Sequence, residues 1–460
     1  MNTLKVGFSR VDITPQLGIA ISGYFVPRNA KGVLDRLEAS CVAYEQGGKR
    51  AVMISCDLIG INQEYIAEFK DGIVKATGLD YDAIYIHATH THTGPYVVKK
   101  EDIGNRAELA ISTNGDIEQG YYDFLATRLA DVCVMALADL KPAKMGYGVG
   151  QAPNIAFVRR FRMKDGSLRT NPGVDNPDIV APAGDVDERV NVLRFDREGG
   201  DTIVTVNFGD HPDVVGGELL SGDWPALTRG TVEKILDNTK CVVFNACQGD
   251  VNHVNVHPRG GYLNGMFMDF DDVARGYEHS KYMARVVTGG VLQAYDKVKY
   301  CDDTTLRFYQ KKIELASNMP TPDEIPEARR IHELHIAGRD AELPYEGMML
   351  TTVVAEAGRM VRLEHGPESF PMTVSGLSIG PVAFVGFPGE PFTGIGRGVK
   401  DDPNFELVMH TCLTNGNEGY FPMEDAYREG GYEARSSKFK AGVAESLVNE
   451  GKNVLEAMKK

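Results

Sequence analysis

The stretch Ile86-His87-Ala88-Thr89-His90-Thr91-His92-Thr93-Gly94-Pro95 places three histidines within six residues, in a chain that has 11 histidines among 460 residues. It follows Asp82-Ala83-Ile84-Tyr85-Ile86, whose apolar and aromatic content predicts a short buried strand delivering its end to a loop. Side chains two apart on an extended backbone point the same way. The spacing therefore lets His90 and His92 aim at one spot, and neutral imidazoles aimed at one spot suit zinc. On spacing alone His87, His90 and His92 are equal candidates, and a solvated polar turn is the plain alternative.

Working outward, strand and helix patterns alternate for most of the length. Leu4–Ile13, Ala39–Tyr44 and Ala51–Leu58 are β-rich, while Glu64–Ala76 has amphipathic helix spacing. Tyr121–Asp139 is a second helix, with Leu125, Leu129, Val132 and Ala136 on one stripe. Residues 148–188, rich in Pro, Gly, Asp and Asn, predict a structured loop over a site. Val190–Phe195 and Thr202–Phe208 are expected as neighbouring strands, Thr228–Leu236 as a helix and Cys241–Asn245 as a buried strand. Pro320, Pro322 and Pro326 mark 317–345 as a candidate insertion or subdomain edge. Met372–Val385 returns to strand pattern, and Ser436–Met458 forms an amphipathic helix before Lys459-Lys460. There is no internal repeat. The pattern predicts a mixed α/β (α+β) architecture, a single large catalytic domain over residues 1–460 in which mixed β-sheets are flanked by helices.

The apolar content of 43% supports a large core, and the net charge of −15 argues against nucleic acid and against an anionic membrane surface as partners. No run of about 18 apolar residues exists, so no transmembrane segment is expected. Met1-Asn2-Thr3-Leu4-Lys5-Val6-Gly7 enters structure without an apolar leader, and the seven scattered cysteines (41, 56, 133, 241, 247, 301, 412) contain no CxxC. These features predict reduced thiols and a cytoplasmic protein.

Further strand ends carry polar residues. His211 follows the strand in Val206-Asn207-Phe208-Gly209-Asp210-His211-Pro212. Asp223, beside the single tryptophan Trp224, is expected to cap a helix beginning near Ala226. In Phe244-Asn245-Ala246-Cys247-Gln248-Gly249-Asp250-Val251-Asn252-His253, Cys247 invites a thiol-nucleophile reading but lacks an activating motif. Gly249-Asp250 is expected to shape the site. His253 and His257 are expected as loop histidines, because the sequence around Pro258 is not helical. Phe384-Val385-Gly386-Phe387-Pro388-Gly389-Glu390 presents one carboxylate in an uncharged setting, where it wants a cation, a metal or a proton. A first-turn acid of the following helix is the alternative. Asn417-Glu418-Gly419-Tyr420-Phe421-Pro422, Tyr427 and Gly430-Gly431-Tyr432-Glu433 add tyrosines, which by themselves commonly just pack.

Taken in order, Ala88–Pro95, Asn207-Phe208 with His211, Gly249-Asp250-Val251, Pro388-Gly389-Glu390 and Gly419-Tyr420 with Tyr432 resemble the neutral/alkaline ceramidase family of zinc-dependent amide hydrolases. Gly7-Phe8-Ser9-Arg10-Val11-Asp12-Ile13-Thr14 and Cys56-Asp57-Leu58 resemble parts of the same catalytic domain, so the likeness runs from about residue 5 to about residue 440. The resemblance implies zinc held by His90, His211, Glu390 and Tyr420, with His92 beside the metal in contact with substrate or water. It implies that Tyr432 hydrogen-bonds the carbonyl oxygen and that Arg159 lies near the substrate, with Arg160 an alternative.

The family's secreted members carry a signal peptide and a C-terminal β-sandwich domain; the sequence is expected to have neither. Asn252 stands where they have a serine. The expected substrate is accordingly a small-molecule amide, ceramide-like or smaller and more polar. Metallo-β-lactamase-like enzymes also use His-x-His after a strand, but there an Asp-His pair follows, where this chain has Thr93-Gly94. A zinc esterase or lactonase on the same fold, or a catalytically inert binding protein, are the remaining readings.

Overall fold

The structure is a computed structural model and describes residues 3–105, 113–257 and 276–459. Met1, Asn2, Pro258 and Lys460, on which sequence readings touched, lie outside the described residues.

Strands β1 (Lys5–Asp12), β2 (Glu38–Gln46), β3 (Lys49–Cys56), β4 (Ile84–Ala88), β5 (Lys141–Gln151), β6 (Arg189–Arg197), β7 (Thr202–Phe208) and β8 (Thr239–Asn245) form the main sheet. Its order is β8-β7-β6-β5-β1-β2-β3-β4. The outer pairs β3/β4 and β7/β8 are parallel, and the inner pairings are antiparallel. Each parallel pair is joined through a helix, α1 (Gln63–Thr77) and α3 (Asp223–Ile235), as a parallel connection requires. A second sheet holds β9 (Leu306–Ala316), β10 (Ser369–Ile379), β11 (Val382–Gly386) and β12 (Leu407–Thr411), with β11/β12 again parallel. Helix α7 (Thr393–Lys400) connects that pair.

The period-two alternation of the strands explains the layering. In β3, Val52, Ile54 and Cys56 face the helices α1 and α2 (Asp116–Ala138), while Ala51 and Met53 face the opposite side. In β7 and β8, Val204, Val206, Cys241 and Val243 pack towards α3 and α4 (Tyr277–Tyr295), while Ile203, Val242 and Phe244 face the second sheet. That inter-sheet core also takes Leu377, Phe384 and Met409. The far face of the second sheet packs on α7 and α8 (Val443–Lys459). The order of layers is helices, sheet, sheet, helices. Both faces of each sheet are covered, which is why the strands look like continuous apolar runs.

Four sequence expectations need correction. Residues 148–188 are not one loop: β5 runs to Gln151, and Arg160–Met163, Leu168–Thr170 and Ile179–Pro182 form a small antiparallel sheet. These strands are three or four residues long and alternate with exposed charges, so they carry little apolar signal. Helix α3 begins at Asp223, with Pro225 tolerated in its first turn. Asp223 adopts a φ of +56° and accepts from the Trp224 and Val215 amides, so it ties a preceding turn to the helix rather than standing outside it as a cap. The C-terminal helix starts at Val443, after Gly442 at a φ of +95°, and not at Ser436. Residues 317–368 form an excursion between the directly paired β9 and β10, carrying α5 (Ile325–Ile336) and α6 (Gly347–Leu363). These helices share a small core of their own, built on Ala328, Ile331, Leu343, Val353, Val354 and Ala357. Among the described residues no helix is long and apolar enough to cross a membrane.

Candidate metal centre

In sheets with parallel strands, ligand sites collect at the strands' carboxyl ends. His90 and His92 follow β4, His211 follows β7, Glu390 follows β11 and Tyr420 follows β12. Asn245, at the end of β8, binds two of these loops together: its Nδ2 donates to the Thr89 and Asp210 carbonyls, both at 3.0 Å. Segments from both sheets and more than 300 residues of sequence thus meet at one corner.

His90 stands at a φ of +79°, a left-handed conformation that costs a side-chain-bearing residue on the order of 1–3 kcal/mol. Its amide donates to the Leu58 carbonyl at 2.8 Å, and its Nδ1 lies 2.7 Å from the Ile59 carbonyl. That acceptor makes Nδ1 the protonated nitrogen and leaves the Nε2 lone pair facing inward. His211 is arranged alike, with Nδ1 3.4 Å from the Gln248 carbonyl. The two Nε2 atoms are 3.1 Å apart, and His92 Nε2 is 3.3 Å from that of His90. Glu390 Oε2 lies 3.1 Å from His90 Nε2 and 3.7 Å from His211 Nε2, yet accepts no hydrogen bond of normal geometry. Lone pairs and a carboxylate oxygen packed at these distances repel one another unless a cation sits among them. A tetrahedral zinc ion with ligands at about 2.0–2.1 Å has ligand–ligand edges of roughly 3.3 Å, so the donor set fits the ion in both chemistry and spacing.

Electrostatics favour the ligating forms. Burial, then the Arg159 and His90 charges, hold the His211 imidazole well below its ordinary pKa and so neutral. Burial pushes the Glu390 carboxyl up, but His90, Arg159 and Tyr420 together outweigh it and keep the group below its usual value. Glu390 begins three residues before α7, so the first-turn-acid alternative does not describe it. Tyr420 is its direct partner in a short parallel bridge, Glu390–Pro391 against Tyr420–Phe421.

Tyr432 opens the short helix Tyr432–Ser436, its ring 5.6 Å from that of Tyr420 and 6.4 Å from that of Phe25. Burial and the nearby Glu390 carboxylate raise both phenols, so both stay protonated. Arg159 Nη2 donates to the Gly249 carbonyl at 2.8 Å, its Nε is 2.8 Å from Glu433 Oε1, and its guanidinium lies 5.4 Å from the centre of the Tyr420 ring. Arg160 instead turns to Glu429 and the Gly430 carbonyl, with its guanidinium over Phe392. Of the two arginines the sequence left open, Arg159 is the one that reaches the tyrosines.

The remaining candidates separate cleanly. His87 is buried inside β4, donating from Nδ1 to the Cys412 carbonyl at 2.7 Å and accepting the Asn245 amide on Nε2 at 3.0 Å. Cys247 is 2% exposed and burial pushes its thiol well up, which removes the thiolate a nucleophile needs. Asp250 shapes the corner as expected, accepting from the Thr393 amide and hydroxyl at the start of α7. His257 is a surface histidine near Asp175, but His253 is buried, 3.2 Å from Asp213 and against His279. It is no simple loop residue. The extended-backbone argument for His90 and His92 also needs revision: β4 ends at Ala88, and a turn, not strand alternation, converges them.

Three residues of the corner gave no separate sequence signal. Gly23, at a φ of +110°, lies so close to His92 that a Cβ there would sit 2.8 Å from the histidine's own Cβ. Glu433 is fully buried and anchors Arg159. Asp213 sits two residues after His211, but only the fold pairs it with His253.

No protein-family model and no curated protein sequence matches the chain. Solved structures do. The crystal structure of neutral ceramidase from Pseudomonas aeruginosa superposes with a TM-score of 0.72 at 15% identity, covering 100% of this chain and 75% of that one. A ceramidase complexed with C2 gives a TM-score of 0.71 at 16% identity, covering 100% of this chain and 76% of its own. This chain has the neutral ceramidase fold. The ceramidase fold accounts for the order in which the strand ends reach the corner, while the histidine cluster is read from this chain's own atoms.

Proposed function

We propose that the protein is a zinc-dependent hydrolase that cleaves the linear amide bond of an N-acyl amide. One observation carries the reading: the inward lone pairs of His90 and His211 meet Glu390 Oε2 at 3.1 Å and 3.7 Å in a buried corner. His90, His211 and Glu390 would hold the ion, with Tyr420 as a further oxygen donor beside Glu390. When bound, zinc supplies a Lewis acid for the carbonyl and lowers the pKa of water to about 7.

The chain's own groups do the rest. Tyr432, kept protonated, donates its O–H to the carbonyl oxygen as charge develops there, a contribution of roughly 3–4 kcal/mol in other hydrolases. His92, adjoining the cluster, carries a proton from the attacking water to the leaving amine. Arg159 already spends Nε on Glu433 and Nη2 on Gly249, so it acts as a positioning residue for Tyr420. Ceramide is one member of the substrate class, and smaller polar amides are others.

The test is a hydrolysis screen over N-acyl amides and the matching esters and lactones, with chelator and added zinc. Amine release that chelator abolishes and zinc restores supports the reading. Release of alcohols only would move the assignment to an esterase or lactonase, and turnover indifferent to chelator would remove the metal from it.

A further inference from the structure

Tyr432 also borders a second space. A cavity of about 220 Å³ is walled by Leu168, Pro172, Met348, Met349, Thr352 and Tyr432. Its walls come from the small sheet at 160–182, from the first turn of α6 and from the helix that carries Tyr432. The insertion between β9 and β10 therefore supplies one side of it. Two arginines at the cavity are already answered: Arg169 Nη2 lies 3.0 Å from Asp165, and Arg435 Nε lies 2.9 Å from Glu356. What remains towards the interior is aliphatic, thioether and aromatic surface, and methionines adapt their shape to an aliphatic guest.

Size sets the limit. An apolar cavity of about 150 Å³ accepts benzene, with six carbons, so a cavity of about 220 Å³ takes roughly nine, whereas a chain of about sixteen carbons needs roughly 400 Å³.

We propose that this cavity receives the aliphatic acyl chain of the substrate and stops it at about eight to ten carbons, so that the preferred substrates are medium-chain N-acyl amides. The proposal rests on the amidase reading of the adjoining corner, where Tyr432 stands between the carbonyl and the chain.

Two readouts keep the two readings apart. The first is calorimetric binding of straight-chain carboxylic acids, from butanoate to tetradecanoate, to the zinc-loaded protein. Affinity should climb to octanoate or decanoate and then stop or fall. Met349 is 40% exposed, so its side chain can be exchanged with little cost to the fold. Met349→Trp should weaken octanoate at least tenfold and move the optimum to shorter acids, Met349→Ala should move it to longer ones, and both should keep the zinc content of the wild type. Affinity that keeps rising through tetradecanoate, no binding of any acid, or an optimum that neither variant moves would overturn the subsite. The second readout is amine release from the matching N-acyl amides. A length limit in binding without amide cleavage would sink the hydrolase reading and leave the subsite standing, while cleavage without a length limit would do the reverse.

Discussion

Two sets of buried histidines lie within a few residues of each other and have opposite surroundings. His87 and His410 sit in the strands and answer backbone groups: His87 bridges the Cys412 carbonyl and the Asn245 amide, and His410 Nδ1 accepts the Cys247 amide. His90, His92 and His211 lie beyond the strand ends, and their Nε2 atoms face one another and Glu390. The first set is complete without a ligand. The second is a group of donors crowded together, stable only with a positive charge between them. Burial alone does not distinguish the two sets, since all but His92 are buried. What each nitrogen points at does.

That contrast can be broken by substitution. His90→Ala should abolish zinc binding and lower kcat/KM by at least about a thousandfold, or about 4 kcal/mol, with the fold retained; full activity in this variant would remove His90 from the site. His87→Ala should do the opposite. It orphans two buried backbone groups and opens a cavity, so unfolding by urea should show a loss of about 3 kcal/mol while the folded fraction keeps its zinc. Zinc loss without destabilisation would erase the distinction between the sets. Tyr432→Phe should lower kcat about a hundredfold with KM and zinc content little changed, because only the developing charge loses its donor.

The smallest effect is read per pH unit. Burial lowers His87 to about 3 and His410 to about 4, against an unfolded value near 6.5. Between those values the unfolded chain binds protons that the folded one refuses. Stability from these two groups is therefore full above about pH 6.5 and falls as the pH drops towards 4, by about 1.4 kcal/mol per pH unit for each histidine. Melting temperatures flat from pH 7 to pH 4 in the metal-free protein would contradict this.

Much of the layering was legible because the strands are buried on both faces: β7, expected at Thr202–Phe208, has those same ends in the structure. The small sheet at 160–182 was not, since Arg160-Phe161-Arg162-Met163 is short and half charged. At the site, the strand-end positions of His211 and Glu390 drew attention to each residue singly, but nothing local places them 3.7 Å apart. The resemblance supplied that link before the fold did. Glu433 and the Asp213–His253 pair stayed hidden because each partner comes from a distant loop, and spacing along the chain carries no information about such encounters.

The central claim is that a cation belongs between His90, His211 and Glu390. Elemental analysis of protein purified without chelator tests it most directly. The account predicts about one zinc per chain, lost in His90→Ala and in His211→Ala and retained in His87→Ala. Protein that holds no zinc, and takes up none when zinc is added, would contradict it.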